Sequence, residues 1–115
     1  MAEREGVVEL APQEAVALLA EGAVLLDVRE ADEWRVGHVP GALHIPLGEL
    51  AARLEELPDD VLLVAVCRSG GRSALAAAAL SGAGWPCHNL SGGMCSWQAA
   101  GLAVLDASEQ PGRVL

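Results

Sequence analysis

A single cysteine, Cys67, stands where an apolar run ends and a glycine-rich loop begins. The run Val61–Val66 is typical of a strand buried on both faces, and an alanine-rich helical pattern starts at Ser73. Gly70 and Gly71 allow backbone N–H groups to turn inward, and the following helix directs its positive end at the same point. Because helix N-termini and arginine both stabilise thiolate, we predict that this thiol is partly ionised.

We call residues 67–72 the cysteine loop. Two of the chain's seven basic residues, Arg68 and Arg72, lie in this loop, although the formal net charge of the chain is −9. The loop therefore predicts a small anion-binding site around a nucleophilic thiol. The alternative is that Cys67 is only a small buried hydrophobe in an ordinary strand-to-helix turn. The arginines favour the site, because a guanidinium suits a tight turn poorly unless it holds an anion.

Length and composition limit the fold and the partners. The chain has 115 residues, of which 52% are hydrophobic, and its only aromatic residues are three tryptophans. This predicts one domain with a single core of Leu, Val and Ala. The net charge of −9 predicts no binding to nucleic acid or to an anionic membrane surface. No apolar stretch reaches the roughly 20 residues of a membrane helix. The first six residues are charged and mostly acidic, unlike a secretory leader, so we expect a cytoplasmic protein.

Helical and strand patterns alternate along the chain. Predicted strands cover residues 7–10, 23–28, 42–45, 61–66 and 87–90, and predicted helices cover 12–20, 30–35, 47–57, 73–83 and 93–100. The alternation predicts an α/β fold with a small, mostly parallel sheet flanked by helices. Ligands of such sheets bind beyond the carboxyl ends of the strands, which is where Cys67 lies. We expect one domain over residues 1–115, with a core over about 7–102 and a loose tail over 103–115.

Four blocks in this order resemble the rhodanese-like sulfurtransferases. The blocks are Leu26–Glu30 with Glu33 and Trp34, Gly37–Ala42 with Ile45 and Pro46, Cys67–Ser73, and Asn89–Met94 with Trp97. The resemblance covers about residues 7–102. It implies that Cys67 accepts a sulfane sulfur, becomes a persulfide and passes the sulfur on. It also implies that the backbone from Arg68 through Ser69, Gly70 and Gly71 to Arg72 holds the charged sulfur.

The function that this resemblance implies is that of a thiosulfate sulfurtransferase. The donor would be a small anion, thiosulfate or a persulfide, and the acceptor would be cyanide, a thiol or a sulfur-relay protein. The alternatives are a non-catalytic rhodanese-like binding module, a protein-to-protein relay carrier and, less favoured, a phosphatase of the same fold. Phosphatase relatives place five residues between cysteine and arginine. Here four residues separate Cys67 from Arg72, and the narrower loop favours one sulfur atom over a phosphate group.

Several further residues have two interpretations each. Arg68 and Arg72 could attract the anionic donor, or Arg72 could order the loop by pairing with a carboxylate. Ser69 could donate a hydrogen bond, or it could only favour the turn. His38 lies in a Gly–His–Val–Pro–Gly turn, where a hydrogen-bonding role is favoured over that of a general base.

Asp27 and Arg29 flank Val28 on one strand face, and we expect them to pair and to organise the surroundings of the site rather than to react. Cys87 and Cys95 are either buried and inert or able to resolve a Cys67 persulfide into a disulfide. The cysteines lack the spacing of zinc ligands and the three histidines are scattered, so we predict no metal and no cofactor.

Overall fold

The protein is a five-stranded parallel sheet with helices on both faces, as a computed structural model describes it for residues 6–115. The spatial order of the strands is β1-β5-β4-β2-β3. The strands are β1 Glu9–Leu10, β2 Val24–Asp27, β3 Leu43–His44, β4 Leu63–Val66 and β5 Cys87–Leu90. The helices are α1 Pro12–Ala20, α2 Ala31–Val36, α3 Gly71–Gly82 and α4 Gly93–Ala99, and a 3-10 helix spans Leu47–Glu56. The predicted α/β fold is confirmed, since every pair of neighbouring strands runs parallel.

The central strand β4 is buried on both faces, as its unbroken apolar run predicts. Successive side chains of a strand point to opposite faces, so Leu63, Ala65 and Cys67 face one core and Val64 and Val66 face the other. The first core is covered by α3 and the 3-10 helix, and the second by α1 and α4. Cys67 thus lies under α3. Among the helices formed by residues 6–115, none has both the length and the apolar character to cross a bilayer.

The segment predicted as a regular helix over 47–57 is instead a kinked 3-10 helix. Its dihedral angles leave the helical region at Arg53, with φ −124° and ψ 24°. Leu47 and Leu50 are three residues apart, as are Leu54 and Leu57, and three residues make one 3-10 turn. Each short turn therefore directs one pair of leucines at the core beneath α3.

The C-terminal segment is held in place, which contradicts the loose tail expected from its composition. Leu105 forms antiparallel bridges with His38 and with Pro111. The N–H of Arg113 donates to the carbonyl oxygen of Val36 at 3.1 Å, and that of Ala107 donates to the carbonyl oxygen of Arg35 at 3.0 Å. The last carbonyl groups of a helix have no partners within it, and this segment supplies partners for the end of α2.

A buried ion pair joins the end of β2 to the end of α2. Asp27 and Arg29 are both fully buried, and their side chains meet at 2.7 Å between Nη2 and Oδ2 and at 2.9 Å between Nε and Oδ1. Nη2 of Arg29 also donates to the carbonyl oxygen of Gly37 at 2.7 Å. The expected pairing of these two residues is therefore present, and it anchors α2 to the sheet.

We expect that Asp27→Ala lowers the free energy of unfolding by about 3–5 kcal/mol, because it leaves the guanidinium of Arg29 buried without a counter-charge. Urea unfolding followed by circular dichroism would measure the loss. The matched control is Asp59→Ala, which removes an exposed carboxylate and should change the free energy by less than about 0.5 kcal/mol. Equal effects of the two substitutions would contradict a structural role for the buried pair.

Candidate active site

The sulfur of Cys67 lies at the N-terminus of α3. Cys67 follows the last residue of β4 and is 1% exposed. Its Sγ accepts a hydrogen bond from the N–H of Gly70 at 3.1 Å and another from the hydroxyl of Ser73 at 3.2 Å. The donors are the N-cap and a first-turn residue of a 12-residue helix, whose dipole places positive potential at the same point.

These contacts decide the protonation of the thiol. Burial alone raises the pKa of Cys67, but hydrogen bonds from the Ser73 hydroxyl and from the backbone N–H groups of Ser73, Gly70 and Ser69 outweigh it, and the pKa is lowered overall. The thiolate is therefore a larger fraction of this cysteine than of a free one at the same pH. This direction agrees with the partly ionised thiol predicted from the loop.

The turn of the cysteine loop depends on a left-handed glycine. Gly70 is the N-cap of α3 and has φ +111°, a conformation that L side chains rarely adopt. In this conformation its N–H points at the sulfur, whereas its carbonyl oxygen accepts the first helical hydrogen bond from Ala74 at 3.1 Å. The sequence pattern predicts that Gly70 lets a backbone N–H group turn inward, and the N–H of Gly70 lies 3.1 Å from the sulfur.

The N-terminus of α4 binds the outer side of the same loop. The N–H of Met94 donates to the carbonyl oxygen of Cys67 at 2.8 Å, and the N–H of Cys95 donates to that of Arg68 at 3.0 Å. Gly93, with φ +60°, sits so close that a Cβ atom there would overlap both carbonyl oxygens. The carbonyl groups are thus directed toward α4, which leaves the N–H groups that follow free to face the sulfur.

Asn89 supports the loop from the neighbouring strand β5. It is 1% exposed, and its Nδ2 donates to the carbonyl oxygen of Gly70 at 3.2 Å and to both carboxylate oxygens of Glu9 at 3.0 Å. Its Oδ1 is buried and has no hydrogen-bond partner among the residues that the structure describes. Asn89 belongs to one of the sequence blocks that carry the family resemblance. Its contact with Gly70, however, depends on strand pairing across the sheet and has no local signal.

Arg72 pairs with a carboxylate, one of the two roles that its position leaves open. Its Nη1 and Nη2 bind Oε1 and Oε2 of Glu33 at 2.8 and 3.0 Å, as two parallel hydrogen bonds. The hydrogen bonds from Arg72 hold the pKa of Glu33 at about 2 against the opposing effect of burial. Glu33 lies on α2, 39 residues away in sequence, and this partner was not predicted.

Arg68 and Ser69 lie at the exposed mouth of the loop. The Nε of Arg68 donates to the backbone oxygen of Leu115 at 2.5 Å. Within residues 6–115 the hydroxyl of Ser69 makes no hydrogen bond, and Ser69 acts on Cys67 through its backbone N–H. Ser73, by contrast, supplies its hydroxyl and was not among the predicted site residues. Its signal is a polar side chain in the first turn of an otherwise alanine-rich helix.

The remaining predicted residues lie behind the loop. Nη1 of Arg29 reaches the carbonyl oxygen of Glu33 at 3.5 Å, so the buried pair of Arg29 with Asp27 acts on the helix that carries Glu33. The ring of His38 stacks on Trp34 at 3.8 Å, and its Nδ1 lies 2.8 Å from the carbonyl oxygen of Trp34. The contacts of His38 are those of a hydrogen-bonding turn residue.

The two other cysteines differ from Cys67. Cys87 begins β5 opposite Leu63, so it lies about 13 Å from Cys67 along the strand direction. Cα atoms joined by a disulfide are only about 4.4–6.8 Å apart, which excludes this pair without a rearrangement of the sheet. Burial raises the pKa of Cys87 to about 12. Of its two interpretations, an inert buried thiol or one that resolves a Cys67 persulfide, the first fits this position. Cys95 is half-buried on α4, and a redox role for it remains a prediction.

Comparisons with known proteins identify the family of this chain. Residues 11–100 match the family model of the rhodanese-like domain. The thiosulfate sulfurtransferase GlpE of Pseudomonas entomophila is 34% identical over 90 residues, which are 77% of this chain and 83% of that protein. A rhodanese-related protein from Thermoplasma volcanium superposes with a TM-score of 0.80 at 28% identity, over 85% of this chain and 97% of that chain.

Other relatives are longer than this chain. An HTH-type transcriptional regulator of Mycobacterium tuberculosis is 45% identical over 83 residues, which are 70% of this chain and 36% of that protein. A Bacillus subtilis relative whose name marks it as a candidate sulfur carrier is matched over 42% of its length. The same kind of domain therefore occurs both as most of a protein and as a part of a larger one.

We expect that Ser73→Ala raises the pKa of Cys67, because one hydrogen bond that stabilises the thiolate is lost. The thiolate fraction at neutral pH falls as the pKa rises, so alkylation by iodoacetamide at pH 7 slows. The pH dependence of the alkylation rate gives the pKa directly. Ser69→Ala is the matched control in the same loop and should leave the pKa unchanged, because its backbone N–H is retained. A shift in the control that equals the shift in Ser73→Ala would contradict the assignment.

Proposed function

The chain belongs to the rhodanese-like domain family, and we propose that it is a sulfurtransferase that carries a sulfane sulfur on Cys67. The observation that carries this proposal is the sulfur atom of Cys67, held by the N–H of Gly70 and the hydroxyl of Ser73 at a helix N-terminus. This arrangement stabilises negative charge on sulfur, which is needed both for the attacking thiolate and for the persulfide that it becomes. Relatives named as thiosulfate sulfurtransferases support the reaction type.

In the first half-reaction the Cys67 thiolate attacks the outer sulfur of the donor. With thiosulfate, a new S–S bond forms at Cys67 as the S–S bond of thiosulfate breaks, and sulfite leaves with the electron pair. With a protonated persulfide donor, the same attack releases a thiol. In either case Cys67 ends as a persulfide with one negative charge, and no proton acceptor on the protein is needed. Backbone N–H groups of the cysteine loop and the helix dipole stabilise that charge.

In the second half-reaction an acceptor attacks the outer sulfur of the persulfide. Cyanide takes the sulfur as thiocyanate, and the electron pair of the broken S–S bond returns to Cys67 as thiolate. A thiolate acceptor becomes a persulfide in the same way. The protein is thus modified covalently between two separate substrates, and we expect ping-pong kinetics.

The size of the loop supports sulfur rather than phosphate as the group that is bound. Four residues separate Cys67 from Arg72, and two of the groups around the sulfur already lie 3.1 and 3.2 Å from it. The guanidinium of Arg72, which a phosphate monoester would need, is instead occupied by Glu33. We therefore propose a sulfur carrier, with phosphate hydrolysis as the disfavoured alternative.

The donor and the acceptor could themselves be proteins. A sulfur-relay function would use the same Cys67 persulfide, and it is supported by the relative whose name marks it as a candidate sulfur carrier. Under this alternative, transfer to cyanide would be measurable but slow. A binding module without turnover is disfavoured, because the thiol and its hydrogen-bond donors are intact.

We expect that the protein gains one sulfur atom when treated with thiosulfate and loses it again to cyanide, as measured by intact-protein mass spectrometry. Cys67→Ser should gain none, because hydroxyl is neither ionised nor able to form a persulfide. Cys87→Ser and Cys95→Ser are the matched controls and should still gain one sulfur atom. Loading of Cys67→Ser would show that another cysteine is the carrier.

A second assay of the unmodified protein separates sulfur transfer from phosphate hydrolysis. Thiosulfate with cyanide and an aryl phosphate should be supplied to the unmodified protein at one pH, and thiocyanate and phosphate release should be compared. Robust phosphate release without sulfur transfer would overturn the proposed function.

A further inference from the structure

The charge of Arg72 is neutralised at the entrance of the site. Both Nη atoms of Arg72 bind the carboxylate of Glu33, and the side chains are 36% and 15% exposed, respectively. A guanidinium held in this planar, two-point contact cannot present the same two donors to a substrate. The pair therefore fixes the end of the cysteine loop but adds no net charge to it.

The other charged side chains around the loop do not supply the positive charge that Glu33 neutralises on Arg72. Arg29 is neutralised by Asp27 in the buried pair. The exposed Arg68 donates from its Nε to the backbone oxygen of Leu115. The exposed Glu30 is the N-cap of α2 and lies close enough to Arg72 to raise its pKa. The exposed carboxylate of Glu9 also lies beside the loop, on the same Nδ2 of Asn89 that binds Gly70. One exposed arginine and two exposed carboxylates leave the mouth of the site without a net positive charge. The chain as a whole carries −9, which repels anions further.

We propose that Glu33 is a specificity-determining residue: by neutralising Arg72 it directs the site toward sulfur donors with one negative charge or none and away from the dianion thiosulfate. This inference rests on the proposed function. It names the donor class as organic persulfides and related monoanionic sulfane-sulfur compounds. Glu33 is a positioning residue in this role, because it acts on the donor through Arg72.

Two donors of matched chemistry isolate the effect of charge. Thiosulfate carries two negative charges and releases sulfite, whereas methanethiosulfonate carries one and releases methanesulfinate. In both reactions the Cys67 thiolate forms a bond to the outer sulfur, and the leaving group departs with the electron pair of the broken S–S bond. The two leaving groups differ in reactivity, so the informative quantity is the ratio of the two kcat/KM values and its change between variants.

The experiment is a double-mutant cycle in which the charges of Glu33 and Arg72 are removed singly and together, and activity is measured as cyanide-dependent thiocyanate formation. Glu33→Gln leaves Arg72 uncompensated, so kcat/KM should rise about sixfold for thiosulfate and about 2.4-fold for methanethiosulfonate, as one added unit charge about 8 Å from the donor would give in water. The ratio of thiosulfate to methanethiosulfonate therefore rises about 2.4-fold. Arg72→Gln leaves Glu33 uncompensated and should lower the ratio by a similar factor.

The double variant Glu33→Gln with Arg72→Gln distinguishes neutralisation from direct binding. If the pair contributes no net charge to the site of the unmodified protein, the double variant has the ratio of the unmodified protein. If Arg72 binds thiosulfate directly, the double variant has a ratio clearly below that of the unmodified protein, and the inference is overturned. A general loosening of the loop lowers both kcat/KM values together and cancels in the ratio.

Two controls complete the test. Glu21→Gln makes the same chemical change at the exposed end of α1, next to the opposite edge of the sheet, and should leave the ratio unchanged. Concentrated salt should shrink the differences among variants, because exposed charges are screened. An unchanged ratio in an active Glu33→Gln variant would overturn this inference alone. An unmodified protein that transfers sulfur from neither donor would overturn the proposed function and the inference with it.

Discussion

The direction of the main chain in the cysteine loop is the constraint on which the site depends. A peptide unit has its N–H and its carbonyl group on opposite sides, so N–H groups can face the sulfur only if the carbonyl oxygens find partners elsewhere. The first amides of α4 are those partners, through the N–H groups of Met94 and Cys95. They can approach only because Gly93 has no side chain. The helix that closes the fold thus also determines which way the loop before α3 turns.

A chain of charged groups connects the sheet to the end of this loop. Asp27 holds Arg29 in the core, Arg29 binds the carbonyl oxygens of Gly37 and Glu33 on α2, and the side chain of Glu33 holds Arg72. Burying an ion pair costs desolvation, and it is tolerated where both partners have further hydrogen bonds, as Arg29 has here. The gain is a fixed position for α2, and through it for Arg72.

Local patterns predicted the elements well and their long-range partners poorly. Pro12–Ala20 and Cys87–Leu90 match the predicted bounds of α1 and β5. The local signals are a proline at the first helical position of α1 and turn-forming residues, among them Pro86 and Gly92, on both sides of β5. The regular helix over 47–57 and the loose tail were wrong, since the first depends on how leucines reach the core and the second on vacant carbonyl groups of α2. Asn89 and Glu33 contact the loop only after distant elements have packed together, so neither spacing nor composition identified them. Ser73 is local to the loop and had a signal, a polar side chain in the first turn of an alanine-rich helix, which the prediction did not use.

Cys67 and Cys87 show why burial alone does not make a cysteine inert or reactive. Both face the core beneath α3, and both are almost fully buried, yet the pKa is lowered at the first and raised to about 12 at the second. Cys87 stands at the start of a strand, where the helix termini around Cys67 are out of reach. Cys67 stands four residues beyond the partner of Cys87, at the carboxyl end of β4, where α3 directs N–H groups and a hydroxyl at its sulfur. In a parallel sheet the N-termini of the crossover helices gather at that edge, so the chain direction of the strands decides which of two equally buried thiols can hold a charge.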